Sequence, residues 1–251
     1  MSKYDDFGVE LLDLYGSCLS RDGSEAFDSL ASIHQYYLLY SLFELYVPIG
    51  SEVLDWGAGS GHFTYFLIRS GYNSTSFGFN NPGLFENQAT NLKLNFIQGN
   101  ANEPTLLPFS DEKFDAVSSV GVLEHVREFG GSEEGSLREI NRILKTGGIF
   151  CCYHFPSKYS WIEFLSRAIG RWSHQYRFSK ADINQLFPKD LWQILECRQY
   201  AVLPRNILGR LLPRYFRKSI IASKIIDEID FILTILFKPF AQNWLIVAKK
   251  R

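Results

Sequence analysis

Paired cysteines are missing from this sequence. Its four cysteines, Cys18, Cys151, Cys152 and Cys197, include no Cys-x-x-Cys spacing, and the adjacent Cys151 and Cys152 sit in an apolar run as buried strand residues do. Neither a disulfide frame nor a zinc site is indicated, and no metal is expected. An excess of positive charge is missing too. With a net charge of -1 and a pI near 6.5, the chain lacks the basic surplus of nucleic-acid binders, so small-molecule chemistry is the expectation and nucleic acid is no partner. No uninterrupted apolar run reaches the roughly 18 residues that a spanning helix needs. The richest stretch, residues 220–237, is broken by Lys224, Asp227, Glu228 and Asp230, which a spanning helix would bury at high cost. The first ten residues are acidic and polar, without the basic start and apolar stretch of a secretory signal, so a reducing cytoplasm is expected. Repeats and low-complexity tracts are absent as well.

What is present suits one α/β-sized globular unit with an appended segment: 251 residues, 46% hydrophobic and 21% charged. Apolar and aromatic positions at helical spacing over residues 25–47 predict a helix ending just before Pro48. Residues 52–56 then read as a short buried strand, 57–61 as a tight turn and 62–70 as a helix closed by Gly71. Further strands are expected at 75–80, 94–99, 114–120 and 149–155, with helices at 82–91, 122–128 and 137–144 between them. Five alternating units of this kind specify a doubly wound, largely parallel sheet. Beyond Pro156 the alternation breaks. A helix capped by Ser179 runs to 187, a strand covers 192–200, and a last strand covers 243–248. The expectation is an α/β, Rossmann-like sheet of seven mostly parallel strands, with helices on both faces and a helical cap insertion. Its parts are an N-terminal helical lid (1–47), the main domain (48–202 and 241–251) and a basic amphipathic helical insertion (203–240).

The strongest local signal is Val53-Leu54-Asp55-Trp56-Gly57-Ala58-Gly59-Ser60-Gly61. A strand leading into Gly-x-Gly-x-Gly lets backbone approach a ligand where a Cβ would collide, and the following helix offers free N–H groups. The spacing is not that of the dinucleotide fingerprint, and the Lys-Ser/Thr of a phosphate loop is absent, so a pyrophosphate is not the obvious occupant. From Asp55 to Gly61 the chain resembles the class I S-adenosylmethionine-dependent methyltransferases, of the type 11-like group. Their first motif is a strand ending in Asp or Glu followed by Gly-x-Gly-x-Gly. Phe109-Ser110-Asp111-Glu112-Lys113-Phe114-Asp115-Ala116-Val117, Val122-Leu123-Glu124-His125-Val126 and Arg138 to Gly148 follow in that family's order and approximate spacing. The resemblance covers about residues 48–155. It implies S-adenosyl-L-methionine as cofactor, held by Asp55, Gly57, Ala58, Gly59 and Gly61, by Asn80 and Asn81 after the second strand, by Asn100 and Ala101 after the third, and by Val120 ending the fourth.

Two positions depart from the family. An acidic residue usually ends the second strand to grip the ribose hydroxyls, where this chain has Asn80; Gly-Asp-Ala commonly follows the third strand, where this chain reads Gly99-Asn100-Ala101. Replacing a bidentate carboxylate by an amide costs about 1 to 3 kcal/mol of binding. A non-catalytic, cofactor-binding module is therefore one alternative to an enzyme. Methyl transfer itself needs aligned donor and acceptor, and removal of the acceptor's proton when the acceptor is a hydroxyl. His154, ending the fifth strand, is the first candidate base, followed by His125 after the fourth strand and His174 in a polar loop. A packing role competes in each case, whereas His34 and His62 read as plain helix residues. Tyr36, Tyr37 and Tyr40 fit either a lid over the cofactor or a helix face packed in the core.

The acceptor is expected to be a small molecule. Residues 154–161, His174 to Phe178 and Leu203-Pro204-Arg205-Asn206 look similar to a bacterial branch of small methyltransferases associated with cell-surface glycan and lipid-linked sugar assembly. That similarity implies a sugar hydroxyl, lipid-linked in some members; a quinone, lipid or secondary metabolite is the alternative. The insertion supports a lipid-carried acceptor on physical grounds, because Arg205, Arg210, Arg214, Arg217, Lys218 and Lys224 alternate there with Leu and Ile. A basic amphipathic face can dock on anionic headgroups at the inner face of a membrane. A packed cap closing the acceptor pocket is the competing reading.

Overall fold

In the computed structural model, which describes residues 3–17, 27–80, 82 and 94–251, seven strands form one sheet. They are β1 (Glu52–Trp56), β2 (Asn73–Gly78), β3 (Phe96–Gln98), β4 (Phe114–Val120), β5 (Leu144–Pro156), β6 (Trp192–Tyr200) and β7 (Asn243–Lys250), ordered β3-β2-β1-β4-β5-β7-β6. The first five run parallel and β7 lies antiparallel to both of its neighbours. This is the Rossmann-like, doubly wound, mostly parallel sheet expected. Side chains alternate between two cores, as the period of a strand requires. Val53, Ala116, Cys151 and Val247 face one core, while Leu54, Val117, Cys152 and Ile246 face the other.

The helices are α1 (Asp5–Ser17), α2 (Leu30–His34), α3 (Tyr37–Tyr46), α4 (His62–Arg69), α5 (Glu133–Ile143), α6 (Trp161–Ala168), α7 (Lys180–Leu186), α8 (Arg205–Leu211), α9 (Arg214–Arg217) and α10 (Ile220–Leu236). The single helix expected over 25–47 is two, broken at Gln35 and Tyr36. The break has a cause: the Gln35 carbonyl accepts a hydrogen bond from the Tyr153 hydroxyl at 2.5 Å instead of continuing the helix. Tyr36 and Tyr40 are buried and Tyr37 is partly buried, packed against the first core, so the core reading of this face is the one observed. The helix expected at 82–91 lies outside the described residues. Residues 123–129 wind as a 3-10 helix closed by Gly130 in the left-handed region (φ 82°). Ser179 caps α7 as expected, within a capping box completed by Asp182.

The insertion departs most from expectation. Most of its cations are paired within the chain, Arg205 with Asp227 and Asp230, Arg210 with Asp28, Lys218 with Asp13 and Lys224 with Asp5, although Arg210, Arg214 and Lys218 stay exposed. On α10 the polar residues Ser223 and Asp230 are buried, whereas Ile221, Ile225, Ile232, Ile235 and Leu236 are exposed. The helix is turned inside out, and its polar side is what the protein needs. Asp230 Oδ1 accepts from the backbone N–H groups of Val202 and Leu203, at 2.8 and 2.7 Å, and thereby fixes the chain leaving β6.

Candidate active site

The turn after β1 is built as its glycines demand. Gly57, Gly59 and Gly61 all have positive φ (76°, 52° and 92°), a region that residues with a Cβ rarely adopt. Gly57 also has no room, since an added Cβ would lie 2.4 Å from the Val122 side chain. At Gly59 an added Cβ would meet only the Gly57 carbonyl, at 3.7 Å. Above that residue there is space for a ligand, which is the fit a methionine-bearing cofactor requires. Ala58 is buried beneath, and its N–H and that of Gly57 both donate to the Phe77 carbonyl, at 3.0 and 2.8 Å. The Tyr15 hydroxyl donates to the Ser60 carbonyl at 3.0 Å, so α1 fastens the turn from outside.

Asp55 is 1% exposed. Its carboxylate accepts from Thr64 Oγ1 at 2.6 Å and Ser118 Oγ at 3.2 Å, and Thr64 lies 3.0 Å from Ser76 Oγ. One side chain thus ties β1 to α4, β4 and, through Thr64, β2. Burial pushes its carboxyl up to about 6 despite the two hydroxyl donors. Asn80 is exposed just beyond β2; Asn81 lies outside the described residues. Asn100 spends its side chain on its own turn, accepting from the Asn102 N–H at 3.0 Å and donating to Glu103 at 3.1 Å. Exposed Ala101 follows it, and Val120, partly buried, ends β4 opposite Tyr153.

His154 stands where β5 slips register against β7, in the left-handed region (φ 60°). A bulge of this kind re-aims a side chain, and a non-glycine residue held there is a strained one. Its Nδ1 lies 3.0 Å from the Tyr200 hydroxyl and 3.2 Å from Asn243 Nδ2. An amide nitrogen can only donate, so Nδ1 accepts and the ring proton sits on Nε2. That nitrogen is buried without a hydrogen-bond partner among the described residues. Burial lowers the ring to about 3 and keeps it neutral. In this tautomer the ring presents Nε2–H as a donor.

Its counterpart was not anticipated. His62, read from sequence as a plain helix residue, opens α4 directly after Gly61. It is buried, lowered to about 3 by burial first and His154 second, and its Nε2 likewise has no partner among the described residues. Tyr36 lies between the two rings, its centroid 4.3 Å from His62 and 5.1 Å from His154. His125 and His174 stand apart from this pair and beside each other, 5.5 Å between centroids. Glu124 next to them is 3% exposed, and burial pushes its carboxyl up to about 8.

Comparison with known proteins agrees with this geometry. Residues 54–152 match a family model described as a methyltransferase domain. A sterol 24-C-methyltransferase of Gibberella zeae is 31% identical over 138 residues, which is 52% of this chain and 34% of that protein. One of Yarrowia lipolytica is 29% identical over 143 residues, with the same coverage of 52% and 34%. The chain thus spans about a third of the length of these relatives. Among solved structures, an S-adenosylmethionine-dependent methyltransferase of Methanosarcina mazei superposes with a TM-score of 0.55 at 19% identity, over 83% of this chain and 96% of its own. One from Archaeoglobus fulgidus gives 0.51 at 19%, over 85% and 94%. These two likenesses speak for the fold. Residues 54–152 thus match a methyltransferase domain, set on the Rossmann-like sheet that these solved structures share.

Proposed function

We propose that this chain transfers a methyl group from S-adenosylmethionine to an oxygen of a lipid-borne acceptor, either a lipid or a lipid-linked sugar. The observation that carries the lipid assignment is the outward apolar face of α10, accompanied by α6, on which Phe164 and Leu165 are exposed. Both helices hold the chain that leaves β6, through Trp161 and Asp230. Trp161 Nε1 donates to the Val202 carbonyl at 2.8 Å, and Gln199 Nε2 reaches Ser157 Oγ at 2.9 Å and the Pro239 carbonyl at 3.4 Å. The sterol 24-C-methyltransferases similar to this chain act, by their names, on a carbon of a sterol, which supports a lipid acceptor though not the choice of oxygen.

The cofactor supplies a methyl group on a sulfonium centre. Asp55 braces the turn beneath it. His154 would hold the acceptor oxygen through Nε2–H, and the neutral His62 ring on the other side of Tyr36 would be the group to receive the hydroxyl proton. A base lowered to about 3 suffices for this step, since a methylated hydroxyl before proton loss is far more acidic than an imidazolium. The test presents radiolabelled S-adenosylmethionine with sterol, quinol and polyprenyl-linked sugar acceptors in vesicles, beside free sugars in solution. Label is expected in the organic extract, and His154→Gln should slow its appearance while sparing cofactor affinity. Label confined to water-soluble acceptors would sink the lipid assignment.

A further inference from the structure

Glu124, His125 and His174 bring a carboxylate oxygen and two imidazole nitrogens within 4.8 Å of one another. They come from two places in the chain, the 3-10 helix after β4 and the loop after α6. Each imidazole is already oriented from behind. His125 Nδ1 lies 2.9 Å from Glu128 Oε1, and His174 Nδ1 lies 2.7 Å from Glu163 Oε1, while Glu163 Oε2 also accepts the His174 backbone N–H at 2.8 Å. Carboxylates only accept, so both Nδ1 atoms donate and both Nε2 lone pairs are left free on the side facing Glu124. Backing a histidine by a carboxylate in this way fixes the tautomer that binds a metal and raises the ligand's basicity. Glu124 supplies an independent sign of a missing partner: its Oε2 is buried and makes no hydrogen bond among the described residues. Trp172 covers the imidazoles, its ring 4.6 Å from His174 and 6.3 Å from His125.

From this geometry we infer that Glu124, His125 and His174 form a binding site for a divalent transition metal of the zinc class, with one coordination position open. Two imidazoles and one carboxylate are a zinc ligand set, whereas magnesium prefers oxygen ligands and water. The donor spacing exceeds the roughly 3.4 Å edge of a tetrahedral zinc shell, and rotations of the partly exposed histidine side chains close it. The site borders the transfer site. A Cβ added at Gly121 would lie 3.8 Å from Glu124 Oε1 and 3.9 Å from His154 Cβ, so one glycine separates the two. An ion there would offer its open position to an oxygen or phosphate of the acceptor. The site stands on its own residues, and its test reads metal, not methyl transfer.

The experiment strips the full chain with EDTA and titrates it with Co²⁺, following visible absorption, then displaces the cobalt with Zn²⁺. One equivalent is expected to give the intense d–d bands of four-coordinate cobalt, displaced by zinc and untouched by excess Mg²⁺. His174→Ala should abolish the bands with an unchanged circular dichroism spectrum. Glu163→Gln, which keeps all three ligands, should weaken affinity by about 10- to 100-fold. A wild-type protein that binds no more cobalt than the His125→Ala/His174→Ala double variant overturns the site, as does Mg²⁺ competing at equal concentration.

Discussion

Asp55 shows how one residue can be costly to the fold and needed by the site. Its carboxyl is pushed from 3.8 to about 6 in the folded protein, which corresponds to about 3 kcal/mol at 1.36 kcal/mol for each tenfold step. The direction is opposite to that of an ion-paired aspartate. Because the folded value lies above the unfolded one, this group's contribution is fully present below pH 3.8 and is lost as pH rises through about 6. Asp55→Asn should therefore leave the ligand-free protein at least as stable at pH 8, narrow the difference in Tm between pH 5 and pH 8, and weaken binding of S-adenosylmethionine. If this carboxylate, beneath the turn, acts on a cationic ligand, wild-type affinity should itself fall as pH drops through about 6, where it is protonated. A melt series at both pH values with calorimetric titration checks all three. Gly59→Val separates space from fold in the same assay. Its Cβ meets no atom nearer than 3.7 Å, so the fold bears only the strain of a positive φ, about 1–2 kcal/mol, while affinity should drop beyond detection. Unchanged affinity would mean that the ligand lies elsewhere. The glycine turn and Asp55 were legible from residue order because only glycine tolerates those angles. The partnership of His62 with His154, and of His125 with His174, was not, because each pair meets across the fold and no local pattern encodes it.

At the scale of elements, α10 is the case in which periodicity was read correctly and its direction was not. An amphipathic pattern defines two faces without saying which one turns inward. Here Arg205 settles the matter. Its side chain is 9% exposed between Asp227 and Asp230, so the charged stripe is held at the centre and the isoleucines are turned out. Removing one partner of a buried pair leaves the other charge stranded, at about 3–5 kcal/mol. Asp230→Ala should accordingly loosen α8 and α10 together and release the Val202 and Leu203 N–H groups. Hydrogen exchange would register this as faster exchange over residues 202–236, with the β1–β4 region unchanged. If protection across 202–236 stayed at wild-type levels, the buried pair would not be what orients the helix. By contrast, β6 was legible over 192–200, a run bracketed by Pro188 and Pro204. The helix spanning 25–47 was misjudged at the place where Tyr153, more than a hundred positions away, draws off a carbonyl.

For the molecule as a whole, the question is what covers the outer face. No helix of the described residues is long and apolar enough to cross a membrane. Fully burying a side chain such as isoleucine is worth about 1.5–3 kcal/mol. Six outward aliphatic side chains on α10, sunk even halfway into an interface, would hold the protein on a bilayer without help from charge. Charge has less to offer than the count of cations implies, because Arg205, Arg210, Lys218 and Lys224 are paired within the chain. That distinguishes this mode of docking from the electrostatic one that the count of arginines and lysines first indicated. Flotation with neutral phosphatidylcholine vesicles should then succeed nearly as well as with anionic ones and should survive high salt, where screening acts over only about 3 Å at 1 M. Ile225→Glu combined with Ile232→Glu should abolish flotation while leaving Tm unchanged, since both side chains are more than half exposed at 56% and 53%. A protein that stays in the aqueous fraction, and whose mass in solution is that of a dimer falling to a monomer in the double variant, would assign the same face to a second copy of the chain. Either occupant explains an apolar surface facing outward, but only lipid brings the acceptor to the rim beside His154.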